Sequence, residues 1–106
     1  MCGLFAAFST KRKLSIDYSK YLDYVNLYMG HRGPDKTGIF INEGKNILFA
    51  HTRLAIQDLS SKANQPFLSP DNSQLIYNGE IYNSQYISQT LNIKNPKSDT
   101  ELLARL

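Results

Sequence analysis

Two apolar runs, "GIFIN" at 38–42 and "NILFAHTRLAI" at 46–56, stand on either side of the tripeptide "EGK". Strand-like runs separated by so short a glycine-containing link predict an antiparallel hairpin. The other segments have to pack around it. "CGLFAAF" at 2–8 is a short continuous apolar run, which predicts a strand buried on both faces. The stretch 15–30 carries Tyr18, Leu22, Val25 and Met29 near a four-residue repeat, the single apolar stripe of a helix, with Gly30 placed just past its end. "HRGPDKTG" at 31–38 predicts a loop, because the residue before a proline avoids helical geometry. "QDLSSKANQPF" at 57–67 is irregular, "QLIYNGE" at 74–80 predicts a strand entering an Asn-Gly turn, and "NSQYISQTL" at 83–91 predicts a helix starting at Asn83. "SDTELLARL" at 98–106 has the S-x-x-E spacing of a capping box ahead of an apolar run. Strand, helix, several strands and helix in that order predict an α+β fold on a mainly antiparallel sheet.

Composition narrows the class. With 106 residues, 42% hydrophobic and 20% charged, the chain suits one small soluble domain with a modest core. The net charge of +3 comes from scattered residues, and "KRK" at 11–13 is the one basic cluster. Three basic residues in a loop read as a solvated turn, so no nucleic-acid partner is expected. Cys2 is the only cysteine, which excludes an intramolecular disulfide or a multi-thiolate metal site within the chain. His31 and His51 lack any metal-ligand spacing and read as packing or hydrogen-bonding residues, so no metal is expected. No apolar run approaches the roughly 18 residues of a membrane span. The first apolar run precedes the basic cluster, the reverse of a secretory signal, and a reduced, cytoplasmic protein is the expectation.

Four features have chemical potential, each beside a plainer reading. Once Met1 is trimmed, Cys2 would carry a thiol and a free α-amine, whose reference pKa of about 7.7–8.0 makes it a base for a thiol near 8.5. The plainer reading is a small buried hydrophobe. "YNGE" at 77–80 reads as a tight turn, or as an Asn78 side-chain amide and a Gly79 N–H converging on an oxyanion. Arg53, on an apolar strand, faces solvent, meets an internal carboxylate, or holds a ligand carboxylate in its fork. Glu80 and Asp99 are surface acids, with Asp99 suited to a helix first turn, or together they hold an ammonium group.

In order along the chain, "MCGLFA", "HRGPDKTG", "HTRLAIQDLS", "NQPF", "YNGEIYN" and "SDTE" resemble the N-terminal glutamine amidotransferase domain of glutamine-hydrolysing asparagine synthetases. The resemblance spans nearly the whole chain and is loosest at 9–28, 40–47 and 84–97. It implies a class II, N-terminal nucleophile hydrolase fold, with helices packed on mainly antiparallel sheets. By motif match it implies Cys2 as nucleophile and Asn78 and Gly79 as the oxyanion hole. Arg53 would bind the α-carboxylate of L-glutamine, with backbone contacts around Leu54 to Ile56, and Glu80 and Asp99 would hold its α-ammonium. The family's domain is longer, so the chain is expected to hold about the first half of the layered structure. The synthetase (ATP-pyrophosphatase) domain, with its "SGG-x-DS" phosphate loop, is absent from the 106 residues. ATP and magnesium belong to that domain, leaving no cofactor expected here. The synthetase domain or a separate synthetase subunit is the expected partner. A catalytically inactive remnant, or a partner-binding fragment, is the alternative.

Overall fold

A computed structural model describes residues 1–15, 17–56 and 59–106. Ile16 of the predicted helix, and Gln57 and Asp58 of the irregular stretch, lie outside the described residues. The chain runs β1 (Gly3–Phe8), α1 (Tyr18–Met29), β2 (Lys36–Ile41), β3 (Ile47–Arg53), β4 (Phe67–Leu68), β5 (Gln74–Leu75), α2 (Ser84–Thr90) and α3 (Asp99–Ala104). Single helical turns occupy Gly30–Arg32 and Ser61–Ala63. The fold is α+β with antiparallel pairing, as the order of elements predicts.

The predicted hairpin is β2–β3, and β1 pairs with the other edge of β3 in the order β1-β3-β2. The central place therefore falls to β3, not β1. The expectation that the first strand is buried on both faces is wrong: Leu4, Phe5 and Phe8 are exposed, because β1 is an edge strand while α1 packs over β3 and β2. In β3, by contrast, Leu48, Ala50, His51, Thr52 and Arg53 are all buried. Between β2 and β3, the Asn42 side chain accepts hydrogen bonds from the Asn46 and Ile47 N–H groups at 3.0 and 2.9 Å. The left-handed residue of this loop is Lys45 (φ 52°), not its glycine.

Strand alternation sorts the sheet into two faces. The Thr52 hydroxyl donates to the Met29 carbonyl at 3.0 Å, and Thr37 donates to the Asn26 side chain at 2.6 Å, so α1 covers the face bearing Thr37 and Thr52. Along α1, Val25 is buried, Leu22 and Met29 are half-buried, and Tyr18 at the start is exposed. Asp17 caps the helix by accepting from the Lys20 N–H at 3.2 Å. Gly30 closes it in right-handed geometry (φ −58°, ψ −32°) and leads into a further tight turn.

The opposite face bears His51 and Arg53 of β3 and Gly38 of β2. Here the segment 60–68 lies against the sheet, and the Gln65–Pro66 peptide is cis. Gly38 is required by this approach, since a Cβ there would collide with the Gln65 carbonyl oxygen.

The predicted strand 46–56 stops at Arg53, because the next two amides are bonded to side chains: Leu54 N–H to Cys2 Sγ and Ala55 N–H to the Asp35 carboxylate. Likewise only Gln74–Leu75 of the predicted strand 74–80 pairs in a sheet. Beyond it, the Tyr77 and Ile81 amides donate to the side chains of Gln65 and Asp99. The capping box forms with one change. Ser98 accepts from the Glu101 N–H at 3.1 Å, but Glu101 reaches back to Lys97 N–H at 2.9 Å, one residue before the usual partner.

Gly38→Ala is expected to destabilise the fold by about 1–3 kcal/mol, the cost of forcing a side chain into a packed contact. A thermal melt against the parent protein measures it.

Candidate active site

Five separated stretches of chain line one cavity of about 410 Å³ at the end of β3; one contributes Ala63 and Gln65, and the other four carry the residues singled out from the sequence. Cys2 comes from the segment entering β1. Arg53, Leu54 and Ile56 come from the end of β3 and just beyond it. Asn78, Gly79 and Glu80 lie between β5 and α2, and Asp99 opens α3. All eight residues singled out from the sequence line this cavity.

Cys2 is half-buried, and its Sγ accepts the Leu54 N–H at 3.4 Å and lies 3.9 Å from the Leu54 carbonyl oxygen. The Cys2 carbonyl accepts from Arg32 Nε at 3.3 Å, which fixes the backbone of the same residue from the other side. "HRGPD" thus contributes a clamp: Arg32 holds Cys2, and Asp35 accepts the Ala55 N–H at 2.7 Å.

Arg53 does not face solvent, being only 8% exposed. Its Nη1 donates to the Ser60 carbonyl at 2.7 Å and to Asn64 Oδ1 at 2.8 Å, and both contacts orient the guanidinium. Of the residues after it, Leu54 is half-buried and Ile56 is exposed at the cavity edge.

The Asn78–Gly79 bend departs from the turn reading in one respect. Neither residue has a positive φ, so the pair is not the left-handed turn that an Asn-Gly sequence ordinarily marks. Glycine at 79 instead leaves room for the Tyr77 ring: a Cβ there would stand 2.5 Å from the Tyr77 hydroxyl and require that ring to shift. Both residues are exposed and line the cavity wall. Glu80 is also exposed. Asp99 is half-buried, and its Oδ2 accepts the Ile81 N–H at 2.7 Å, which ties the 78–81 segment to the first turn of α3. The first-turn position and a place on the cavity wall are therefore compatible for Asp99.

Charge in this region is visible on Tyr77, whose phenol is pushed above its ordinary pKa by burial, then by the Asp99 and Glu80 carboxylates. His31 is exposed, whereas His51 is wholly buried beneath the site, and neither ring nitrogen has a hydrogen-bond partner among the described residues. Burial lowers the His51 pKa; the Tyr77 backbone opposes the shift and the Arg53 charge adds to it. His51 is thus a buried packing residue whose surroundings disfavour its charged form. Among the described residues no group of three or more His, Cys, Asp or Glu side chains could hold a metal ion, and no helix is long and apolar enough to cross a membrane.

Among the polar wall residues that sequence reasoning does not single out are Gln65, Tyr77 and Thr100. Each sits inside a motif that was read ("NQPF", "YNGE", "SDTE"), but nothing in their type or spacing sets them apart from ordinary polar loop residues.

The glutamine amidotransferase domain family matches residues 1–106, and the chain belongs to that family. It is similar to the putative asparagine synthetase [glutamine-hydrolyzing] 2 of Methanocaldococcus jannaschii, with 36% identity over 80% of this chain and 20% of that protein. It is likewise similar to asparagine synthetase [glutamine-hydrolyzing] 1 of Bacillus subtilis, with 36% identity over 97% of this chain and 17% of that protein. A shorter match, 44% identical over 59% of this chain and 9% of its counterpart, is to the amidase chyE of Penicillium rubens. The chain spans about a fifth or less of the curated relatives it matches. No solved structure matches it.

Because the native His51 resists protonation, it contributes stability above the unfolded pKa near 6.5, and that stability is lost as pH falls from there toward the lowered folded value. Denaturant melts are expected to show stability falling below about pH 6.5 with a slope of up to roughly 1.4 kcal/mol per pH unit from this one group. His51→Gln is expected to remove that component.

Proposed function

We propose that the cavity binds L-glutamine and hydrolyses its side-chain amide, releasing glutamate and ammonia. One observation carries the reading: a thiol, an Asn-Gly bend, an arginine and two carboxylates, from four stretches of chain, line a single cavity. A free amino acid with a terminal amide presents the complementary groups. Arg53 pairs with the α-carboxylate, assisted by backbone at Leu54 to Ile56, and Glu80 and Asp99 pair with the α-ammonium. The amide is then directed toward Cys2.

In this mechanism Met1 is removed, and the α-amine of Cys2 takes the thiol proton. The thiolate attacks the amide carbon, and the negative charge that forms on its oxygen is stabilised by the Asn78 side-chain amide and the Gly79 N–H. Collapse breaks the C–N bond, the α-ammonium returns its proton to the leaving nitrogen, and ammonia departs. The glutamyl thioester left on Cys2 is hydrolysed by water, giving glutamate and the free thiol.

Relatives named as glutamine-hydrolysing asparagine synthetases support a wider role, in which the ammonia passes to an acceptor activated elsewhere. That activation belongs to a synthetase domain or a separate synthetase subunit, with ATP and magnesium as its cofactors. The 106 residues correspond to the amidotransferase part alone, in a reduced cytoplasmic setting.

Steady-state glutaminase kinetics test the assignments. Asn78→Ala is expected to lower kcat on the order of 10²–10³-fold, the effect of losing one oxyanion donor. Asp99→Asn keeps an oxygen for the Ile81 N–H but removes the charge, and is expected to raise KM for glutamine roughly 10- to 100-fold with a smaller change in kcat. An Asn78→Ala protein as active as its parent contradicts the oxyanion-hole assignment.

A further inference from the structure

The Gln65 side chain joins two of the segments that build the cavity. It is only 8% exposed, and its Oε1 accepts the Tyr77 N–H at 2.5 Å while its Nε2 donates to Thr100 Oγ1 at 3.1 Å. The amide can face only one way here. A backbone N–H donates and cannot accept, so the oxygen must point to Tyr77 and the nitrogen to Thr100. Tyr77 immediately precedes Asn78, and Thr100 immediately follows Asp99. The backbone of Gln65 is itself pressed against the sheet, its carbonyl filling the space over Gly38.

We propose that Gln65 is a positioning residue for glutamine hydrolysis: its carboxamide sets the distance between the Asn78–Gly79 oxyanion donors and the Asp99 carboxylate, using β2 as the fixed reference. This rests on the glutaminase reading above. The Asp99 bond to Ile81 ties α3 to the far side of the bend, and Gln65 ties it to the near side. Together they bracket residues 78–80 between two side-chain-to-backbone hydrogen bonds. Without Gln65 the Tyr77 amide loses this partner, and the oxyanion donors lose their register with the bound ammonium group. Misplacement of reacting groups by about 1 Å costs on the order of 10²-fold in rate.

Gln65→Met keeps the volume and removes both hydrogen bonds, and Thr100→Val removes the bond on the α3 side alone. The first readout, amide hydrogen exchange on the full chain, needs no activity. Gln65→Met is expected to raise exchange at Tyr77 and through 78–81 by roughly fivefold or more, with β3 amides unchanged, as for losing about one net hydrogen bond. Thr100→Val, the variant that decides the matter if Gln65→Met does not fold, is expected to shift the same amides in the same direction. The second readout is glutaminase kinetics per reactive Cys2 thiol: kcat is expected to fall about 10- to 100-fold in Gln65→Met with KM within about threefold, since the reading above assigns both charged ends of the substrate to other residues. Unchanged exchange at 77–81 in the folded variants overturns the clamp. Raised exchange with kcat per thiol unchanged overturns the positioning role. A parent protein without glutaminase activity defeats the glutaminase reading instead, and the exchange data then decide the clamp alone.

Discussion

The contact between Cys2 Sγ and the Leu54 backbone joins residues 52 positions apart, and the site depends on it. It forms where the β1–β3 ladder runs out. Within the ladder β3 pairs with β1 on one side and β2 on the other. Past Arg53 the backbone donors turn to side chains, Cys2 for Leu54 and Asp35 for Ala55. Buried backbone donors need partners, so the end of the strand is fixed as firmly as its middle. The first residues of the chain are thereby carried to the same point as Arg53.

The rest of the cavity follows the same rule. Segment 77–81 is irregular and lies outside the strands; its Tyr77 and Ile81 amides are satisfied by the Gln65 and Asp99 side chains. A backbone held this way can present Asn78 and Gly79 outward, where a paired strand would consume their donors. The arginine is treated similarly. Oxygens of Ser60 and Asn64 aim the Arg53 guanidinium, which also lines the cavity. The cavity therefore combines a cationic end, an acidic end and a thiol, each fixed to a different element of the fold.

Much of this was legible in the sequence, for identifiable reasons. The hairpin, α1 and the capped start of α3 were readable because apolar periodicity and Ser98 act locally. What failed was non-local. A run of seven residues cannot say whether it is central or at an edge, so the burial expected of β1 belonged to β3. The strands predicted to Ile56 and Glu80 were cut short by side chains from Cys2, Asp35, Gln65 and Asp99, all distant in sequence. The residues of the site were legible only through the family resemblance, since an isolated cysteine or Asn-Gly pair has a plainer reading. Gly79 shows the limit well: its presence could be read, but its reason, the Tyr77 ring lying over it, could not.

The account turns on a free N-terminal cysteine that attacks an amide. Intact mass spectrometry of the protein, before and after rapid acid quench with glutamine, tests that directly. The account requires Met1 to be missing from the active molecules and a transient glutamyl adduct on Cys2 that disappears in Cys2→Ala. Retention of Met1 on molecules that still release ammonia, or an adduct that survives the Cys2→Ala change, would contradict it.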